Sequence, residues 1–298
     1  MKKNILILTC FAALAISCQK EDDSLNSTTS NRVNENANLD ENTAARAGYT
    51  KRVLVEEFVG TTYGDVPEVS RILNNIVATN PSKIIVASHH NGDVLESPQT
   101  DLLVNALTTY GTTAYPTSLI NRNTVNGFRF VGSSNYQTAI NQELNQAAPC
   151  GIAISSTLSK NTVTIDVYEG FNAKVQGTCN ITVYLVEDNI ALSSPANYQA
   201  NNFNNNAKSP FYHKGNPMNE YMHQHVVKAC ISPSMGTQIK QAALVSGGSD
   251  HQTYTYLLPE NINTNNCYIV AFISKSNNGI ADQVLNAQIA KLGTTGTW

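Results

Sequence analysis

The sequence predicts an α/β unit followed by an all-β unit. Three observations carry this reading. Between residues 52 and 148, apolar runs of strand type alternate with runs of helical spacing. From Cys150 onward the helical spacing stops and short polar–apolar alternations follow one another. Only 14% of the 298 residues are charged, against about 25% in an ordinary soluble domain. The polar surface must therefore be made mostly of Asn, Gln, Ser and Thr. The net charge of -3 excludes phosphate-driven nucleic-acid binding. Six cysteines are too few for a disulfide-dense miniprotein.

Residues 1–17 read as an address. Lys2 and Lys3 precede a short apolar stretch, Ile5 to Ile16, which ends in Ala15-Ile16-Ser17-Cys18. Small residues before a cysteine, in that order, resemble a bacterial lipoprotein signal, with Cys18 as the lipidated residue. An ordinary secretory signal cleaved nearby is the competing reading. Loss of Lys2 and Lys3 with the signal moves the net charge from -3 to -5. Gln19-Lys20-Glu21-Asp22-Asp23 resembles an acidic export signal that sends lipoproteins to the cell surface; a solvated charge run is the plainer alternative. Residues 18–48 hold few apolar side chains and read as a flexible tether.

The α/β unit, 49–148, is read element by element. Arg52 to Phe58 is a β-rich run ending at Gly60. Pro67 to about Thr79 places Val69, Ile72, Leu73, Ile76 and Val77 at helical spacing, with Pro67 suited to a first turn and Asn80-Pro81 as the stop. Ile84-Ile85-Val86-Ala87 is continuous, as in a strand buried on both faces. Ser97-Pro98 opens a second helix carrying Leu102, Leu103, Ala106 and Leu107. Tyr115-Pro116-Thr117 leads into a short strand, Ser118 to Asn121. Thr124 to Phe130 is its hairpin partner, and Ser134 to Gln146 is a closing helix. The order β-α-β-α-(X-Pro)-β-β-α is the thioredoxin arrangement.

The all-β unit, 149–298, has seven candidate strands: 151–158, 162–168, 180–186, 222–231, 253–258, 268–274 and 284–291. That count fits an immunoglobulin-like β-sandwich. Residues 193–220 form a long Asn-rich connection with Tyr198, Phe203, Phe211 and Tyr212. Two readings stay open for it: a loop folded back over the sandwich, or an aromatic surface that contacts a partner.

Four stretches in order resemble a known family. They are Glu56-Glu57-Phe58-Val59-Gly60-Thr61-Thr62-Tyr63-Gly64-Asp65-Val66-Pro67, Tyr115-Pro116-Thr117, Glu220 to Val227, and Asn266 to Ile273 with the downstream Gln283-Val284-Leu285. Together they are similar to lipoproteins related to the 28-kilodalton outer membrane protein. The resemblance implies a cis-proline loop at Tyr115, Pro116 and Thr117, and a Cys-x-x-Cys redox motif at residues 63–66. Here Tyr63, Gly64, Asp65, Val66 and Pro67 stand in that motif, so both cysteine positions are lost. Disulfide exchange needs an attacking thiolate and a resolving thiol, and no cysteine lies between residues 19 and 149. The expectation is a scaffold without redox catalysis, with no catalytic residue and no cofactor. An acidic group beneath the motif, Glu56 or Glu57, has no thiol to serve.

Other candidate chemistry is thin. His89 and His90 alternate faces on a strand and do not share a ligand. His89, Asp93 and Glu96 can cluster near that strand's end. His223 and His225 sit two apart, on one face if the strand is regular, and are weak metal candidates without further ligands. Cys150, Cys179, Cys230 and Cys267 are candidates for disulfides, with three pairings open, or else for buried thiols. The leading expectation is a non-catalytic outer membrane lipoprotein facing outward. It would be held in the membrane by the lipid on Cys18 and would bind a protein or a glycan. The alternative is an envelope peptide-binding, chaperone-like protein, or a thiol-independent enzyme, using the cleft around Tyr63, Val66 and Pro116.

Overall fold

The computed structural model describes residues 48–107, 114–277 and 280–298. The expected signal segment, Cys18 and the expected tether up to residue 47 lie outside the described residues. The fold is mixed α/β and mostly β. Its elements in order are β1 (Val53–Val59), α1 (Val66–Thr79), β2 (Ile84–His90), α2 (Thr100–Leu107), β3 (Thr117–Ile120), β4 (Phe130–Val131) and α3 (Tyr136–Leu144). There follow β5 (Cys150–Ser159), β6 (Thr162–Phe171), β7 (Thr178–Glu187), β8 (Ile190–Ala191), β9 (Met222–His223) and β10 (Val226–Cys230). The last are β11 (Thr237–Gln238), β12 (Ser249–Leu257), β13 (Cys267–Asn277), β14 (Ile280–Lys291) and β15 (Thr295–Gly296).

Every residue of β1 and β2 is buried, because the sheet they form is covered on both faces. Val53 and Val55 meet Leu73 and Ile76 of α1 and Ile140 of α3. On the opposite face Phe58 meets Leu103 and Leu107 of α2. β1 runs parallel to β2, and β3 is antiparallel to β1 with β4 beyond it. The expected hairpin is shorter than its sequence run: residues 125–128 form a tight turn with Asn126 and Gly127 at positive φ, so pairing is left to Phe130–Val131.

The free side of β2 takes a strand from the second half. β10 joins it in parallel at Val226↔Ser88, and the Ser88 N–H donates to the His225 carbonyl at 2.7 Å. β7, β13 and β14 extend the same sheet, giving the order β14-β13-β7-β10-β2-β1-β3-β4, with β11 also paired to β7. The sheet curls until β14 returns to the first half: the Val284 N–H donates to the Asn121 carbonyl at 2.8 Å, and the Arg52 N–H to Asn286 Oδ1 at 2.8 Å. Leu54 and Ile85 therefore share a core with Tyr184, Val270, Phe272 and Val284. A second sheet, β12-β6-β5-β15, lies against the other face of β7 and β13. Ile152 and Ile154 of β5 and Ile165 and Val167 of β6 pack there with Ile181, Val183 and Ile269; that core is built wholly from residues after 149.

The seven strand runs expected after residue 149 all contain strand. The run 222–231 is broken, however. His225 adopts φ +58 between β9 and β10, so His223 and His225 do not occupy alternate positions of one regular strand, and the shared-face geometry expected of them is lost.

Candidate functional site

The residues of the degenerate motif lie at the entry to α1. The Tyr63 carbonyl accepts from the Val66 N–H at 3.1 Å, and Val66 and Pro67 begin the helix, with proline in the first turn where no N–H is needed. The Tyr115–Pro116 peptide is cis. The Tyr63 ring stacks on the Tyr115 ring, with centroids 5.1 Å apart and planes 10° from parallel. A tyrosine thus fills space where the resemblance implies a thiol, and its partner is the residue before the cis-proline. Val66 is buried.

The long connection 193–220 crosses this motif. The Ala200 N–H donates to the Thr61 carbonyl at 2.7 Å, and the Asn202 N–H to the Gly64 carbonyl at 3.0 Å. Gln199 Nε2 donates to the Tyr63 carbonyl at 3.0 Å, and Asn202 Nδ2 donates to Asp65 Oδ1 at 2.8 Å. Asp65 is the N-cap residue of α1, yet its side chain makes no capping bond. Asn202 is so close that a Cβ on Gly64 would run into its side-chain amide. The Asn-rich composition has a local use here: Asn201 and Asn204 bond the loop to itself, through Asn201 Nδ2 to the Phe211 and Gly215 carbonyls at 3.0 and 2.9 Å and the Gly215 N–H to Asn204 Oδ1 at 2.9 Å. Of the two readings open for this connection, folding over the sandwich is not what occurs at 199–202; those residues lie over the α1 entry.

Glu56 and Glu57, neighbours on β1, face opposite sides. Glu56 takes both Arg122 Nε and Nη2, at 2.6 and 2.7 Å, and Tyr184 Oη at 3.0 Å. Glu56 and Arg122 are each 1% exposed. Burial pushes the Glu56 carboxyl up, but the Arg122 charge and hydrogen bonds outweigh it, with His89 adding to them, and hold it below the usual carboxylate range. His89 lies on this face, 3.6 Å from Glu56 and stacked with Phe58.

Glu57 borders a cavity of about 310 Å³ beside α1, lined also by Ser70, Ser88, His90, Tyr221 and His223. Its Oε1 accepts from Ser70 Oγ at 2.9 Å and its Oε2 from Ser88 Oγ at 3.0 Å. Burial raises the Glu57 carboxyl, against the two serine hydrogen bonds and the nearby His225 and His90, which lower it. His90, and not His89, pairs with Asp93, Nδ1 to Oδ2 at 2.7 Å, while Glu96 accepts from the Gly92 N–H. His223 meets the rings of His90 and Tyr221 edge-on, at 5.1 and 4.9 Å. Burial, followed by the proximity of His90, lowers His223 to about 3. His225 Nδ1 lies 3.1 Å from Asp188 Oδ1. Among the described residues no group of three or more His, Cys, Asp or Glu is placed to hold a metal ion.

Cys150, Cys179, Cys230 and Cys267 are free thiols, and only Cys230 is not fully buried. Burial pushes Cys179 and Cys230 up to about 11 and Cys267 to about 12. They behave as small apolar residues rather than nucleophiles.

The sequence profile of the family described as Outer membrane protein Omp28 matches residues 105–296. The stretches at 115–117, 220–227 and 266–285 fall inside that match, and 56–67 falls outside it. No curated protein matches the chain. Among solved structures, HBP35 of Porphyromonas gingivalis is similar at TM-score 0.66 and 18% identity, over 83% of this chain and 77% of that one. A protein of Agrobacterium tumefaciens is similar at TM-score 0.50 and 13% identity, over 83% and 97%. A domain of the outer membrane lipoprotein Omp28 from Porphyromonas gingivalis aligns at TM-score 0.31 and 14% identity, over 49% and 89%.

Proposed function

Because this chain belongs to the Omp28 family of outer membrane proteins, we propose that it is a lipid-anchored envelope protein that binds a protein or glycan partner and catalyses no redox reaction. The observation that carries this is the filling of the motif. Tyr63 and Val66 hold the two positions where thiols would act, Tyr63 is stacked on Tyr115, and the 199–202 segment is bonded across the backbone between them. A phenol with no activating base is a poor nucleophile, and no thiol of the described residues lies on α1, β1 or β3. The order β1-α1-β2-α2-β3-β4-α3, with β3 antiparallel to β1, supports a thioredoxin-like first half. The packing of the β12-β6-β5-β15 sheet on β7 and β13, strands of the sheet that continues into β2 and β1, supports a sandwich of immunoglobulin type in the second half. The Tyr63–Tyr115 stack and Asn202 occupy the ground on which the peptide-binding alternative depends, so that reading comes second.

The test combines lipid labelling with protease shaving of intact cells. Labelling should occur in the unmodified chain and vanish in Cys18→Ala, and external protease should remove the protein. Absence of label, protection from protease, or thiol-dependent turnover of an insulin disulfide each contradicts the proposal.

A further inference from the structure

We propose that the cavity beside Glu57 is a binding site for an organic cation, a primary ammonium or guanidinium group on a small molecule or on a peptide side chain, with Glu57 as its counter-ion. This deepens the binding role proposed above and rests on that reading.

The location is the first argument. Glu57 and Val59 of β1 and Ser88 and His90 of β2 approach the carboxyl ends of two parallel strands. The helices that follow these strands, α1 and α2, leave to opposite faces of the sheet. A crevice at that point is where open α/β sheets take ligands.

The second argument is hydrogen-bonding polarity. Each Glu57 oxygen accepts one serine hydroxyl and keeps further lone-pair capacity. His90 and His225 each direct Nδ1 at a carboxylate, Asp93 and Asp188. Pairing of that kind makes Nδ1 the donor. Arg71 is the one Lys or Arg among the lining residues, and Glu68 already holds it through two bonds of 2.8 and 2.6 Å. The buried Glu57 carboxylate at the cavity suits a donor-rich cation better than an anion. Phe211 and Tyr221 add aromatic surface, which favours cations further.

The third argument is independent of Glu57. His223 is 3% exposed and lines the cavity. Neither of its ring nitrogens is hydrogen-bonded among the described residues. These nitrogens open onto the cavity, where a donor-bearing ligand would give one of them a partner.

Burial raises the Glu57 carboxyl and a cation beside it favours the carboxylate, so binding should weaken as pH falls. The titratable and charged groups around Glu57 are Arg71 from α1, His90 from β2, Tyr136 from α3, and Tyr221, His223 and His225 from the segment around β9.

Calorimetric titration of the purified full chain tests this, with agmatine as the small guanidinium and a blocked tripeptide with a central arginine as the side-chain form. Saturable binding of either, weakening as pH is lowered, is expected. The tighter of the two identifies the source. Butyrate should not bind, and Glu57→Gln should weaken binding at least about tenfold with the thermal midpoint retained. No heat at about 10 mM of either probe, equal binding of butyrate, or unchanged affinity in Glu57→Gln overturns the proposal. Should that variant fail to fold, probe-induced shifts of the His223 imidazole resonances in the unmodified chain decide the matter: their absence also overturns it. These titrations are independent of anchoring and surface exposure, so failure here is distinct from failure of the shaving experiment.

Discussion

Replacing Glu56 by glutamine leaves Arg122 buried with no counter-charge, and its remaining neutral neighbour, Tyr184, does not supply one. Breaking one side of such a pair costs about 3–5 kcal/mol. Urea unfolding of Glu56→Gln should show a loss of that size at neutral pH. The pH dependence has a definite sign. The Glu56 carboxyl is held below its ordinary value in the folded state. Its stabilising contribution is therefore complete above the unfolded carboxylate value, near pH 4–5, and is lost as pH falls through the lowered folded value. The unmodified protein should lose stability in acid more steeply than Glu56→Gln. Two adjacent acids inside an apolar strand run signal that something unusual is buried there, since carboxylates are almost never fully buried unless paired. Their alternation onto opposite faces is legible from the strand period. Their partners are not. Arg122 reaches Glu56 from a turn in which Asn121 and Arg122 both have positive φ, and Ser70 and Ser88 come from separate elements. No local pattern marks such long-range pairings.

At the scale of elements, α1 and the 199–202 segment are interdependent. Gly64→Ala places a Cβ against the Asn202 amide, so the segment must shift or α1 must. Overpacking of this kind costs about 1–3 kcal/mol. The expected outcome is a loss of that order in chemical denaturation, together with faster limited proteolysis within 193–220. Stability and proteolysis equal to those of the unmodified chain would show that the segment is not held there. The α/β elements are readable because periodicity 3.6 and continuous apolar runs are local signals. Pro67 at one end and Asn80-Pro81 at the other mark helix α1 to within a residue or two. The break at His225 is invisible in the sequence, because a positive φ at a histidine leaves no trace in the polar–apolar pattern. The course of the long connection is equally hidden: its asparagines fold it upon itself and across α1 through amide-to-carbonyl bonds that any Asn-rich stretch could offer.

For the molecule as a whole, the reading of two successive units captures composition but not connectivity. Residues 49–148 and 149–298 share one sheet, since β10 completes β2 and the core around Leu54 and Ile85 is closed by Tyr184, Val270 and Phe272. Strand patterns record which face is apolar; they do not record which edge another strand will find. A shared core predicts a single cooperative transition. Backbone circular dichroism and the fluorescence of Trp298, the single tryptophan, which lies 5.9 Å from Tyr49, should report coincident denaturation curves. Two separated transitions would contradict this.

The parallel pairing of β2 with β10 also orders events in time. A chain that emerges amino end first presents β1 and β2 long before β10 exists, so one edge of β2 stays open and the Leu54–Ile85 face stays wet until the second half arrives. The nascent first half is in effect a template waiting for its complement. Until then that edge is open to strands of other chains.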